Sequence, residues 1–148
     1  MNERQNVSMD IAKMEKDLRY IASIIKEQGR KILKNSTITP PQFRALQWLL
    51  EYGDMTIGDL SNKMFLAFST TTDLVDRMEN NQLVKRVRDE NDRRVVRVHL
   101  LPEGIRIIEE VIQKRQEYLQ DVLVNSDEQE IQQFSGLLAK LHEQMIRD

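Results

Sequence analysis

Residues 56 to 101 decide the fold, and they read TIGDLSNKMFLAFSTTTDLVDRMENNQLVKRVRDENDRRVVRVHLL. The first half contains two short amphipathic segments joined by an apolar turn at positions 65 to 68. In the second half, apolar residues alternate in Leu83–Arg88 and in Val95–Leu101, on either side of a charged tip. A helix pair followed by a hairpin is the element order of a winged helix-turn-helix. The stretch therefore predicts a fold that is mainly α with a small β-hairpin.

The second helix of this pair is predicted to begin at a Ser69 cap and to run to about Asn81. Its inner face is Thr71, Leu74, Val75 and Met78, and its outer face carries Ser69, Thr70, Thr72, Asp73, Asp76 and Arg77. Short hydroxyl side chains in a first turn suit phosphate oxygens and base edges, whereas the alternative is a simple cap with neutral surface threonines. Three consecutive threonines form helix poorly, which favours the first interpretation. We expect Arg77 to pair with the neighbouring aspartates.

The charged tip between the two predicted strands contains Asp92, Arg93 and Arg94. Arginine suits a narrow minor groove, and Asp92 is placed to hold the side chain of Arg94 extended. A solvated loop is the alternative for any charged turn. The position directly after a candidate recognition helix favours contact with DNA instead.

The distribution of charge supports the same interpretation. The 148-residue chain has a net charge of −2, but positions 85 to 97 contain six basic and three acidic side chains. Arg86 and Arg88 on the first predicted strand therefore join the candidate DNA contacts. The chain has no cysteine and two histidines, so we expect no thiol sensing, no metal site and no cofactor.

The outer segments, 1–38 and 102–148, are predicted to be dimerisation helices around a DNA-binding domain at 39–101. The first helix is expected over residues 8 to 34 with Ser8 as its cap, and its apolar stripe is too long for a small module to cover. A core helix of a monomer is the alternative. After Pro102 the apolar positions are 105, 108, 112, 119 and 122, and a capping box at Ser126–Gln129 precedes a last helix with positions 131, 134, 138, 141 and 145. We expect a homodimer with interlocking terminal helices.

Thr39-Pro40-Pro41-Gln42 predicts the start of a further helix, which ends at Gly53. We expect Phe43, Leu46, Leu49 and Leu50 to face inward. Trp48 and Tyr52 lie toward its flank. They are core or lining residues, or they hold a small aromatic effector.

Other function classes find little support in the chain. It contains no phosphate-binding loop, zinc-protease motif or nucleophile elbow, so we expect no enzyme. The polar amino terminus and the lack of a long apolar run predict a cytoplasmic protein that does not associate with membranes. A winged-helix module that binds another protein is the serious alternative to DNA binding.

The run LVDRMENNQLVKRVRDENDRRVVRVHLLPEG, from Leu74 to Gly104, resembles the MarR family of bacterial transcriptional regulators. The resemblance implies a homodimeric regulator, a repressor by expectation, that binds an imperfect palindrome in double-stranded DNA. The helix led by Ser69 would lie in the major groove and the Arg93–Arg94 tip in the minor groove. Three positions depart from the family pattern. Gln82 replaces a frequent glycine, Leu101 replaces a capping threonine, and Asp73 replaces a basic or neutral residue.

Overall fold

The computed structural model describes residues 3–147, and these residues form six helices and a three-stranded antiparallel sheet. In chain order the elements are α1 (Glu3–Lys34), α2 (Pro40–Tyr52), β1 (Met55–Thr56), α3 (Ile57–Met64), α4 (Phe68–Asn80), β2 (Val84–Arg88), β3 (Val96–Leu100), α5 (Pro102–Val122) and α6 (Glu128–Met145). The order confirms the predicted winged helix-turn-helix, which α1 precedes and α5 and α6 follow.

Two helix starts follow the sequence signals closely. The Thr39 hydroxyl accepts the Gln42 N–H at 3.3 Å, and the Gln42 side chain accepts the Thr39 N–H at 3.0 Å, so the predicted capping box of α2 is confirmed. Thr56 caps α3 by accepting the Asp59 N–H at 3.1 Å. Gly53 ends α2 at φ 81°, a backbone conformation that favours glycine.

Three predicted caps were wrong. α1 begins at Glu3, so Ser8 lies inside it, and Glu3 places a favourable negative charge in the first turn. α4 begins at Phe68 after Ala67, because the chain leaves α3 through the left-handed Phe65 and needs only two more residues to enter the next helix. Ser69 is therefore already helical and caps nothing. α6 is capped by Asp127 instead of Ser126, since Asp127 has Glu130 as its reciprocal partner.

The sheet has the strand order β1-β3-β2, with β3 in the centre. β3 pairs with β2 from Val84 opposite Leu100 to Arg88 opposite Val96. On its other edge Met55 lies opposite Val98. The two-residue strand β1 was not predicted, because two residues are too few to show an alternating pattern.

The core lies between α2, α3, α4, the sheet and the first half of α5. Its fully buried side chains include Leu46, Leu60, Met64, Val75 and Ile108. The buried face of α5 is Gly104, Ile107, Ile108 and Val111. Of the predicted stripe, Ile108 is buried, and Ile105 and Ile112 pack partly buried against the core. Gly104 is required here, since a Cβ at this position would lie 2.3 Å from the Leu83 carbonyl oxygen. The start of α5 therefore packs against the base of the hairpin.

The chain divides into two compact units between Ile112 and Gln113, within α5. In the first unit, α1 leaves a long apolar surface exposed, which includes Val7, Ile11, Met14, Leu18, Ile21 and Ile25. In the second unit, α6 buries none of its residues and exposes Ile131, Phe134, Leu138 and Met145. The described chain has no helix that could span a membrane.

Candidate nucleic-acid interface

The inner face of α4, the candidate recognition helix, packs into the core and sets which residues are exposed. Thr71, Val75 and Met78 are completely buried, which confirms the predicted inward side. Ser69, Thr70, Asp73 and Arg77 are consequently exposed, as predicted. Thr72 is only partly exposed, and its hydroxyl donates to the Phe68 carbonyl at 3.0 Å. The oxygen of Thr72 can therefore accept a further hydrogen bond more readily than it can donate one.

The hairpin of β2 and β3 with its connecting turn is called the wing, and Arg86 on β2 links it to α4. Its Nη2 donates to Asp76 Oδ1 at 2.6 Å, and its Nη1 donates to Glu79 Oε1 at 2.9 Å. The Arg86 N–H also donates to Glu79 Oε2 at 2.8 Å. Burial opposes the charged form, but the hydrogen bonds to the two carboxylates outweigh it and raise the pKa of Arg86. The Arg86 side chain therefore links α4 to the wing through two ion pairs.

This arrangement corrects one sequence-based pairing. Asp76 pairs with Arg86 instead of Arg77, because the wing strand brings a guanidinium to α4 from ten residues along the chain. Arg77 is exposed at the end of a groove of about 400 Å³ between the start of α2 and α4, whose other lining residues are Thr39, Pro41, Gln42, Leu66, Thr70, Asp73 and Leu74. Within the described part of the chain, no ion pair involves Arg77.

Asp89 organises the turn at the tip of the wing. Its carboxylate accepts the backbone N–H of Asp92 at 2.8 Å, the Arg97 guanidinium at 2.6 Å and the backbone N–H of Asn91 at 3.0 Å. These hydrogen bonds, that of Asp92 first, lower the pKa of Asp89. The turn is therefore held by an ionised carboxylate.

The arginines of the tip are presented outward. Asp92 Oδ1 accepts both the backbone N–H of Arg94 at 3.1 Å and its Nε at 3.2 Å, as the sequence predicted. The Arg94 side chain is nevertheless 92% exposed, and Arg93 is exposed beside it. Arg88 donates from Nη1 to the Arg93 carbonyl at 2.9 Å, so part of its guanidinium braces the turn.

Two exposed aromatic residues were not predicted, one in the turn before α4 and one at its first position. Phe65 is 91% exposed at φ 55°, and Phe68, the first residue of α4, is 62% exposed. Both were assigned only to an apolar turn. No simple sequence signal separates an exposed phenylalanine from a buried one in so short a segment.

Trp48 and Tyr52 lie side by side on α2, with ring centroids 5.3 Å apart, and Trp48 packs partly buried against the core. The Lys63 ammonium group lies 5.4 Å from the centre of the Trp48 ring and 5.3 Å from that of Tyr52. Tyr52 is 62% exposed and neither ring lines the groove beside α4. The two rings and the Lys63 ammonium group are therefore close together at one place on the chain. Across residues 3–147, no cluster of three metal-binding side chains occurs.

Comparison with known proteins places this geometry in a family. The MarR family model matches residues 38–96. YsmB, an HTH-type transcriptional regulator of Bacillus subtilis, is 62% identical over 93% of this chain and 94% of its own length. A MarR family protein from Bacillus stearothermophilus has a solved structure that is 60% identical and superposes with a TM-score of 0.89 over 99% of both chains.

More distant similarities were found both in sequence and in structure. The transcriptional repressor MdtR of Bacillus subtilis is 28% identical over 79% of this chain and 76% of its own. NadR, solved in complex with 4-hydroxyphenylacetate, is 27% identical with a TM-score of 0.67 over 86% of this chain and 91% of its own. A point mutant of MepR from S. aureus, solved bound to an oligodeoxyribonucleotide, is 22% identical with a TM-score of 0.68 over 89% and 97%. This chain belongs to the MarR family of HTH-type transcriptional regulators.

Proposed function

We propose that the protein is a sequence-specific regulator that binds double-stranded DNA as a homodimer and represses transcription. The observation that carries this proposal is the link made by Arg86, which joins α4 to the wing through Asp76 and Glu79. The exposed face of the helix and the arginine tip therefore approach a duplex as one body. The MepR complex with an oligodeoxyribonucleotide and the name of MdtR as a repressor support the proposal.

In the proposed complex α4 enters the major groove. Ser69 and Thr70 lie in its first turn, where helix amides and short hydroxyl groups reach phosphates and base edges. Thr72 and Asp73 follow, and Asp73 could accept a hydrogen bond from a cytosine amino group. Arg77 then meets the phosphate backbone. Arg86 keeps α4 in position and contributes through its partners more than through direct contact.

The wing would lie in the adjacent minor groove. Asp92 holds Arg94 extended, and Arg93 and Arg88 lie on the same tip. A narrow minor groove carries an enhanced negative potential that attracts arginine. This tip is the part of the interface that the charge distribution supports most directly.

Dimerisation is proposed through the outer segments, residues 1–38 and 102–148. The exposed apolar residues of α1 and, separately, those of α6 are too many for a lone chain to leave in water. The first three turns of α5 already pack into the winged-helix core, so only later residues of α5 remain for a partner. Two-fold symmetry would set two copies of α4 about 34 Å apart and require an imperfect palindrome.

We propose further that a small aromatic effector acts on the Trp48–Tyr52 pair and releases DNA. The tilted rings and the Lys63 cation suit an aromatic acid, and NadR has been solved with such a compound. Because Trp48 is the only tryptophan, its fluorescence reports binding directly. Titration with phenolic acids should change the Trp48 emission, and Tyr52→Ala should weaken that response. An unchanged emission across a broad panel of aromatic acids would contradict an effector site at this pair.

Selection of fragments from a random DNA pool tests the proposed function. Wild-type protein should enrich a palindrome with half-site centres about one helical turn apart. Arg94→Ala should lose most of the enrichment, whereas Arg106→Ala should retain it, since it removes the same charge from an exposed site on α5. If wild-type protein enriches no sequence, the protein-interaction alternative is favoured instead.

A further inference from the structure

Phe65 stands in a conformation and an environment that both disfavour phenylalanine. It ends α3 at φ 55° and ψ 42°, in the left-handed region that glycine adopts without strain. Its side chain is 91% exposed, so core packing does not compensate for the strained backbone. A residue held against both its backbone preference and its solvation preference points to an interaction outside the folded chain.

Phe68, three residues after Phe65, is a second phenylalanine exposed to solvent. It is the first residue of α4 and is 62% exposed, although the first turn of a helix accepts many polar residues. The Thr72 hydroxyl donates to its carbonyl, so Phe68 and Thr72 are neighbours along one side of α4. Phe68 therefore borders the exposed surface that begins at Ser69.

We propose that Phe65 and Phe68 are DNA contacts, and that Phe68 recognises thymine through its 5-methyl group. This inference rests on the proposed function. The major groove exposes one apolar group on a base, the thymine methyl, and phenylalanine is a suitable partner for it. Phe68 is placed where a recognition helix reaches base edges, at its amino-terminal turn. Phe65, three residues earlier, packs against the adjacent deoxyribose.

The position of Phe65 and Phe68 indicates which molecule binds the apolar surface that they form. Phe65 and Phe68 flank the turn that leads directly into the exposed residues Ser69 and Thr70 of α4. The surface is thus continuous with the face that the proposed complex buries in the groove. A partner protein at this turn would compete with DNA for α4, which makes DNA the occupant that the arrangement favours.

Binding to thymine-substituted duplexes tests the proposal. Starting from the selected site, each thymine is replaced symmetrically by uracil, which removes only the methyl group. Wild-type protein should lose affinity at one or two positions of the half-site, roughly four-fold for each methyl group that it buries. Phe68→Ala should bind the thymine and uracil duplexes at those positions with equal affinity. Positions elsewhere in the site serve as internal controls.

The variant Phe65→Gly separates a DNA contact from a structural role. Glycine relieves the left-handed strain, so this variant should unfold at a higher urea concentration than the wild type. Its affinity for the selected duplex should nevertheless fall several-fold. Equal affinity would remove Phe65 from the interface.

The outcomes distinguish this inference from the proposed function. If wild-type protein binds the selected duplex but is indifferent to every uracil replacement, thymine recognition by Phe68 is wrong while DNA binding stands. If wild-type protein selects no duplex at all, the proposed function itself fails. If Phe68→Ala changes the oligomeric state instead of the uracil response, the turn contacts a second copy and the proposal is overturned.

Discussion

The Oδ1 atom of Asp92 accepts two hydrogen bonds from Arg94, one from its backbone N–H at 3.1 Å and one from its Nε at 3.2 Å. One carboxylate oxygen thus fixes both the backbone and the side chain of the outermost arginine. Free arginine side chains lose up to about 2 kcal/mol of conformational entropy when they are immobilised. In the proposed complex, the contact with Asp92 would therefore reduce the entropy that Arg94 loses on binding DNA.

Removal of this pair should weaken DNA binding in two distinct ways. Arg94→Ala should reduce affinity about ten-fold or more, and the slope of log K against log salt should flatten by about 0.9 for each phosphate that the variant no longer neutralises. Asp92→Asn should reduce affinity less and leave the slope nearly unchanged, because the cation remains. Fluorescence anisotropy over a range of salt concentrations measures both quantities. Tighter binding by Asp92→Asn would show that Asp92 only repels DNA.

The ion pairs of Arg86 should contribute more to the unfolding free energy than a fully exposed ion pair does. Arg86→Met retains the aliphatic stem and the backbone N–H that Glu79 accepts, but it removes the guanidinium from Asp76 and Glu79, which should cost about 1–2 kcal/mol of unfolding free energy. Arg106→Met is the matched control. Arg106 is exposed and pairs with carboxylates on its own helix, so its loss should lower the unfolding free energy less than the loss of Arg86 does. Urea unfolding measures both variants, and equal losses would contradict the assigned role of Arg86.

The wing should contribute a measurable acid sensitivity through Asp89. Its pKa is lowered in the folded state, so the unfolded chain binds a proton more readily. The stabilisation is therefore complete above the ordinary aspartate pKa of about 4 and is lost as the pH falls through the lower folded value. Asp89→Asn should be less stable than wild type at pH 7, and the difference should shrink at pH 3. A gap in urea midpoints that is constant with pH would contradict this linkage.

Gln82 should be replaceable by glycine with a gain in stability. Gln82 has φ 62° between α4 and β2, at the position where the sequence resemblance indicated a frequent glycine. Gln82→Gly should raise the unfolding free energy by about 0.5–1 kcal/mol, because left-handed backbone strains any L-residue other than glycine. Asn81→Gly is the neighbouring control. Asn81 has φ −87°, so glycine there should be neutral or destabilising. A loss of stability in Gln82→Gly would contradict the assigned strain.

Local signals accounted for much of the fold. Spacing alone predicts the capping box at Thr39, the inner face of α4 and the contact between Asp92 and Arg94. Each of these features depends on residues that are close together in the sequence. Contacts that depend on tertiary packing were not predictable in this way. Arg86 reaches Asp76 only because β2 folds back along α4, and β1 exists only because β3 offers it a free edge.

The charged part of the proposed interface could be predicted from the sequence, whereas its proposed apolar part could not. A pair of arginines in a hairpin tip can be predicted to be exposed, because charged side chains are rarely buried. The exposure of a phenylalanine cannot be predicted in this way, since Phe43 packs against the core while Phe65 is exposed. The backbone conformation of Phe65 supplied the missing information.

Sedimentation equilibrium of the protein with and without its selected duplex tests the central claim most directly. Free protein at micromolar concentration should have the mass of two chains, and one duplex should bind both with its half-sites about one turn apart. A single 17.5 kDa chain at that concentration, with equal affinity for every duplex, would contradict it.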